Sequence, residues 1–294
     1  MHLPSSALSN SVCWVTATTS AVGVATSLVA IHRTKPTAQT TARFAAVTGM
    51  VFAAQMLNFP VNGATSGHLL GGVVAGALLG PWVGILSMAI VLTIQSLLFG
   101  DGELAALGAN ILNMGIVAAG LGGWLFQRLR REGTAGTFGT AAFAGLVSVL
   151  AAATIAALEI AFSGSVSASS ALGAALPPHA LIGIGEAILT ACLVAALANA
   201  SEKQSTVLAL AIALLACLVS PLASSLPDGL DSAIATLFGN HLAESPTTAW
   251  LAEYSLPLLG SSPLSTVAAA LIGLAVTTLV AAALAKATRS VRSI

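Results

Sequence analysis

Apolar residues in this chain do not alternate with polar ones. They form long continuous runs separated by short polar or Gly/Pro-rich connections. Measured against a membrane span of about 20 residues, nine runs stand out. They lie at roughly 12–31, 43–59, 68–79, 81–99, 104–127, 138–162, 170–199, 205–224 and 263–285. A membrane barrel would instead show alternating segments of about ten residues. The pattern therefore predicts an all-α polytopic membrane protein of about nine transmembrane helices. The third run is short for a full crossing. Its start behind "NFPVNGATSG" predicts a loop that dips into the bundle, where irregular backbone is tolerated only against protein or a wet cavity. A long Pro- and Gly-containing connection at 225–262 follows eight closely spaced runs. This organisation predicts a seven-helix unit over 1–200 joined to a two-helix unit with a large external loop over 201–294.

Composition supports the membrane reading. Apolar residues make up 56% of the chain and charged residues 7%, against about 25% charged in soluble domains. The ten Lys and Arg residues are Arg33, Lys35, Arg43, Arg128, Arg130, Arg131, Lys203, Lys286, Arg289 and Arg292. Threading nine spans with the N-terminus outside places all of them on the cytoplasmic side, as the positive-inside rule requires. The C-terminus is then cytoplasmic and the expected location is a bacterial or archaeal cell membrane. The first run is preceded by no basic residue, so it reads as an uncleaved span rather than a signal peptide.

The outer face is left with His2, Asp101, Glu103, Asp228, Asp231, His241, Glu244 and Glu253. Such a face draws cations, although its lack of Lys and Arg also restates the topology rule. Zero net charge offers no basic surface to nucleic acid. Cys13, Cys192 and Cys217 lack metal-site or redox spacing and read as apolar fillers. No GxxxxGK[ST] occurs, so the chain carries no P-loop for ATP.

The chain opens "MHLPSSALSN". An N-terminus is often a disposable tail, but His at position 2 can also form a chelate. The Met1 amine, the His2 amide nitrogen once deprotonated and His2 Nδ1 close a five- and a six-membered ring in one plane. One imidazole fills the remaining corner, and topology brings His68 of "GATSGHLLGG" to the same face. Four nitrogens in a square suit Ni(II) or Cu(II), and an ionisable residue within a span is a functional candidate by default. The scheme requires a retained, unblocked Met1.

Thr65 and Ser66, beside His68, are candidates for holding the loop. Gln95, Asn110 and Asn113 need partners in an apolar setting and read as interhelical or loop-holding amides. His179 reads as a structural or cavity group and Glu186 as a bond to a neighbouring helix. The Pro177–Pro178 pair predicts a kink. Glu159 reads as a snorkelling or capping residue, and His32 as a solvated one. Gly72, Gly76 and Gly80 form a small-residue face. Ala17, Ala21 and Ala25 make a similar stripe that a partner protein could use.

"MHLP", "FPVNGATSGHLLGG", "IQSLLFGDGELAALGANILNMG" and "HALIGIGEAILT" resemble the CbiM/NikM family over roughly residues 1–200. These are substrate-capturing S components of energy-coupling-factor transporters for nickel and cobalt. The strings "SPLASSLPDGLDS" and "AEYSLP" make residues 201–294 similar to the companion NikN-type subunit. The resemblance implies a seven-helix S unit followed by two helices. It also implies an N-terminus that folds back to hold the metal, with the ligands falling on Met1, His2 and His68. It further implies separate partners, a transmembrane coupling subunit of the CbiQ/NikQ type and ATPases of the CbiO/NikO type. The chain would then be no enzyme and would bind no organic cofactor. Family members commonly carry an acidic residue and a glycine where this chain has Ser5 and Ser6, a departure that bears on the packing of the opening loop more than on the ligands.

A planar nitrogen set favours nickel over cobalt. Three other readings stay open from sequence. One is a secondary divalent-metal transporter that works without ATPases. Another is a haem-carrying redox protein with His68 and His179 as axial ligands. The third is a purely structural fusion subunit, which would hold no metal in the isolated chain.

Overall fold

The computed structural model describes residues 1–34, 37–239, 249–260 and 262–290. Lys35, His241, Glu244, Arg292 and the side chain of Arg289 lie outside the described residues. The protein is a bundle of helices. In chain order they are α1 (Asn10–Thr34), α2 (Ala38–Gln55), α3 (Gly72–Leu79), α4 (Pro81–Phe99) and α5 (Leu104–Leu129). The remainder are α6 (Gly133–Phe162), α7 (Ala168–Ala198), α8 (Glu202–Val219), α9 (Gly229–Phe238) and α10 (Pro263–Ser290).

Among the described residues, seven helices are long and apolar enough to cross a membrane. Their outer surfaces carry exposed Trp14, Trp124, Phe162, Leu215 and Leu218. α2 and α3 coincide with the second and third apolar runs but fall outside that class. α2 carries Gln and Thr residues, and from Phe44 onward it is shielded from the surroundings. Its residues from Phe44 to Gln55 are buried, packed by α8 and α10 on one side and α4 on another. α3 has only eight residues, because Gly71 (φ +73) starts it and Gly80 (φ +91) ends it in conformations that favour glycine.

Close helix contact explains the small residues. A Cβ on Gly76 would strike the Ala119 carbonyl and the Gly123 Cα of α5, and one on Gly72 would meet Ala118 Cβ at 2.6 Å. Gly80 does not join that face; its nearest neighbour would be Gln127 at 3.9 Å. On α1, Ala17 backs onto Gly108, whereas Ala21 and Ala25 are exposed. Pro177 and Pro178 lie inside α7. Cys13 is half-buried, Cys192 exposed and Cys217 buried, all as free thiols.

The connection between α2 and α3 folds as a small hairpin. β1 (Phe59–Pro60) pairs antiparallel with β2 (Ser66–Gly67). Asn62 makes the turn, its Oδ1 accepting from Thr65 N at 3.1 Å, with Gly63 at φ +76. The irregular backbone after it is buried, so its polar groups need partners. Glu186 of α7 accepts from Leu70 N at 2.7 Å and Gly71 N at 3.3 Å, and Gln55 Nε2 donates to Leu70 O at 2.6 Å. Glu186 thus bonds across to a neighbouring element, at the start of α3. Glu159 is different from the sequence expectation. It neither snorkels nor caps but is buried, accepting from Asn113 Nδ2 at 2.8 Å. Ala-rich α6 lets α5 approach closely enough for Asn113 to reach one of its two oxygens.

The connection expected as a long loop at 225–262 contains α9. Asp228 caps it, with Oδ1 accepting from Leu230 N at 2.6 Å and Asp231 N at 2.9 Å, while Asp231 returns a bond to Asp228 N.

Candidate metal centre

The chain start is held inside the bundle. Met1 is 3% exposed and Leu3 is fully buried. Leu3 N donates to Asn110 Oδ1 at 2.8 Å, and Asn110 Nδ2 donates to Gly102 O at 3.0 Å. Ser5–Ala7 forms a single 3-10 turn. Both the N–H and the hydroxyl of Ser5 donate to Glu103. Ser5 thus supplies two donors to a carboxylate of the α4–α5 loop.

This anchoring places the Met1 nitrogen 2.9 Å from His68 Nε2. The His2 and His68 rings stack with centroids 5.9 Å apart and planes 23° apart. His68 Nδ1 lies 3.0 Å from Leu69 O, a contact that makes Nδ1–H the donor and leaves Nε2 with its lone pair. Burial holds the His68 imidazole down to about 3, and the adjacent terminal ammonium adds to this. It is therefore neutral at physiological pH and needs no deprotonation to act as a ligand. Burial also lowers His2, more than the Asp101 carboxylate raises it.

The start of the chain is surrounded by carboxylates and amides. The Met1 ammonium pairs with Asp228 Oδ2. Burial pushes the Asp228 carboxyl up, but the ammonium and His68 outweigh it and hold it below the usual carboxylate range. His2 Nδ1 faces Asp101 Oδ1 at 3.1 Å and His2 Nε2 faces Gln95 Oε1 at 3.2 Å. A widened π turn at Gln95–Phe99 and Gly100 at φ +72 bring the chain back so that Gln95 and Asp101 flank one ring. Gln95 Nε2 in turn donates to Gln55 Oε1 at 2.9 Å.

The structure thus brings Met1, His2 and His68 together, with Gln95 and Asn110 in contact with the opening residues. Thr65 and Ser66 are not at the centre; they hold the turn before α9. His179 is not among the groups around Met1: its Nδ1 lies 2.6 Å from Ala175 O of its own helix, and the other edge of its ring packs on Gly229, beside Asp228. Asp101, Asp228 and Gln55 escaped sequence reasoning as site residues. The two aspartates were legible only as anonymous outer-face charge, although each follows or precedes a Gly in a turn.

Among the described residues, no three His, Cys, Asp or Glu side chains group as a metal site. A centre built on Met1, His2 and His68 would draw on main-chain nitrogens. The Met1 amine and His68 Nε2 face each other, whereas His2 Nδ1 faces Asp101.

Residues 2–204 match the model of the CbiM family, described as the cobalt uptake substrate-specific transmembrane region. This chain belongs to the CbiM family. Residues 203–290 match a PDGLE domain, which in this CbiM-family chain contains Asp228. A putative fused nickel transport protein NikMN of Archaeoglobus fulgidus is 44% identical over 165 residues, 54% of this chain and 54% of that protein. A putative metal transport protein of Haloquadratum walsbyi is 41% identical over 143 residues, 48% of this chain and 64% of that protein. The chain thus spans between half and two thirds of the length of these two curated relatives. The crystal structure of a truncated transition metal transporter aligns with a TM-score of 0.60 at 27% identity, covering 67% of this CbiM-family chain and 98% of that one.

Proposed function

We propose that this multi-pass membrane protein is the metal-capturing subunit of an ATP-driven importer for Ni(II), with Co(II) as the alternative substrate. Residues 1–200 would form the capturing unit and 201–294 a NikN-like unit. The N-terminus and the capture site would lie outside the cell membrane, and ATP hydrolysis would reside on CbiO/NikO-type partners joined through a CbiQ/NikQ-type coupling subunit. The observation that carries this reading is the Met1 nitrogen held 2.9 Å from His68 Nε2 beside the His2 ring. With Met1 as the first residue, these groups supply four nitrogens, a set suited to square-planar Ni(II).

Capture exchanges protons for metal. The ammonium must lose one proton and the His2 amide another before both nitrogens can bind. The nearby carboxylates of Asp101 and Asp228 then offset the charge of the dication in a site with little water. Kinship with nickel and metal transport proteins supports the substrate class. The haem alternative is disfavoured by the two imidazoles. His179 packs on Gly229 and His68 lies 4.0 Å from Asp228, so both rings face the same protein turn.

Radioactive nickel uptake in cells expressing the chain with its coupling and ATPase partners tests the assignment. Uptake is expected to fall to background when the ATPase P-loop lysine is changed. Uptake that survives would support the secondary transporter instead.

A further inference from the structure

Asp228 belongs to the second unit but reaches into the first. Its turn is docked on the hairpin that carries His68. Ser66 N donates to Pro227 O at 2.8 Å, Ser66 Oγ to Leu226 O at 2.7 Å and Thr65 Oγ1 to Pro227 O at 3.0 Å. Ser232 Oγ of α9 adds a bond to Thr65 Oγ1 at 2.9 Å. The two oxygens of Asp228 divide their tasks. Oδ1 caps α9, and Oδ2 receives the Met1 ammonium. The helix cap therefore fixes the carboxylate, and the carboxylate fixes the amine.

We propose that Asp228 is a positioning residue of the metal centre, holding the Met1 amine against His68 so that the second unit completes a site whose donors all lie in the first. This inference rests on the reading of Met1, His2 and His68 as donors. A primary amine bound to a metal keeps two N–H bonds. Oδ2 can thus accept from it both before and after capture, and its charge favours the bound dication. A second residue of the same unit acts on the other side. Tyr254 donates to Asp101 Oδ2 at 2.6 Å, and Asp101 Oδ1 faces His2 Nδ1. Tyr254 is itself stacked on Phe99, with centroids 4.5 Å apart.

Asp228→Asn separates the two tasks, because Asn caps a helix about as well as Asp. Asp228→Ser, also a cap, guards against an effect peculiar to the amide. The full chain without metal is treated with N-acetoxysuccinimide, and the Met1 peptide is read by mass spectrometry. Exposed Lys203 serves as the internal reference. The amine is expected to acetylate at least about tenfold faster in both variants, with Lys203 unchanged, and nickel is expected to bind at least about tenfold more weakly in calorimetry. Equal acetylation of Met1 in wild type and variants would overturn the proposal, as would faster acetylation with unaltered nickel affinity. Faster acetylation with no nickel bound by any of the chains, wild type included, would overturn the donor reading while leaving Asp228 as the residue that holds the amine.

Discussion

A single residue added before Met1 abolishes high-affinity nickel binding in a chain that still folds. This is the expected result, because the addition converts a primary amine into a peptide nitrogen. The lone pair is then delocalised into the amide, the five-membered chelate ring loses its end donor, and the ion pair with Asp228 disappears. Space acts in the same direction, since Met1 is buried at the bottom of its loop. The loss should exceed about a hundredfold, more than outer-shell changes at metal sites produce. Isothermal titration measures it, and circular dichroism with thermal melting should show the helices intact. The bundle does not depend on the added position, because Leu3, Asn110 and Glu103 hold the following residues. A tagged chain that binds nickel as tightly as the native one removes the amine from the ligand set.

His68→Ala is expected to cost as much. The imidazole lies after a hairpin whose register places it opposite the chain start, and Leu69 O fixes which nitrogen is free. Burial disfavours protonation of the ring itself, so the proton that capture must displace at Nε2 is the one carried by the facing Met1 ammonium. Truncation to Ala leaves only the N-terminal chelate, with an open corner for water. Titration of the variant should show binding weakened by more than about a hundredfold. Binding within threefold of wild type would mean that the fourth donor lies elsewhere.

The helices were legible because long apolar runs admit few solutions in lipid. α4, α6, α7 and α10 fall where continuous apolar sequence puts them. The His2–His68 meeting was legible too, from topology and donor chemistry. Contacts that depend on distant turns were not. Nothing local in "PDGLDS" signals that Asp228 faces Met1, since the pairing is set by Ser66 docking on Pro227. Capping signals in that string could have revealed α9, where Asp228 and Asp231 form a capping box. Glu159 misled because its place near a helix end suggested escape to the surface, whereas Asn113 on a facing helix meets it inside. Gln55 sits in the most polar of the buried helices, where its role in bracing both Leu70 and Gln95 required knowing what lay opposite.

The central claim is that the unmodified chain start and His68 bind nickel through nitrogen alone. A nickel K-edge absorption spectrum of the full chain loaded with one equivalent tests it most directly. Four nitrogen neighbours, with the pre-edge feature of a planar site, are the result this account predicts. A six-coordinate spectrum dominated by oxygen would contradict it.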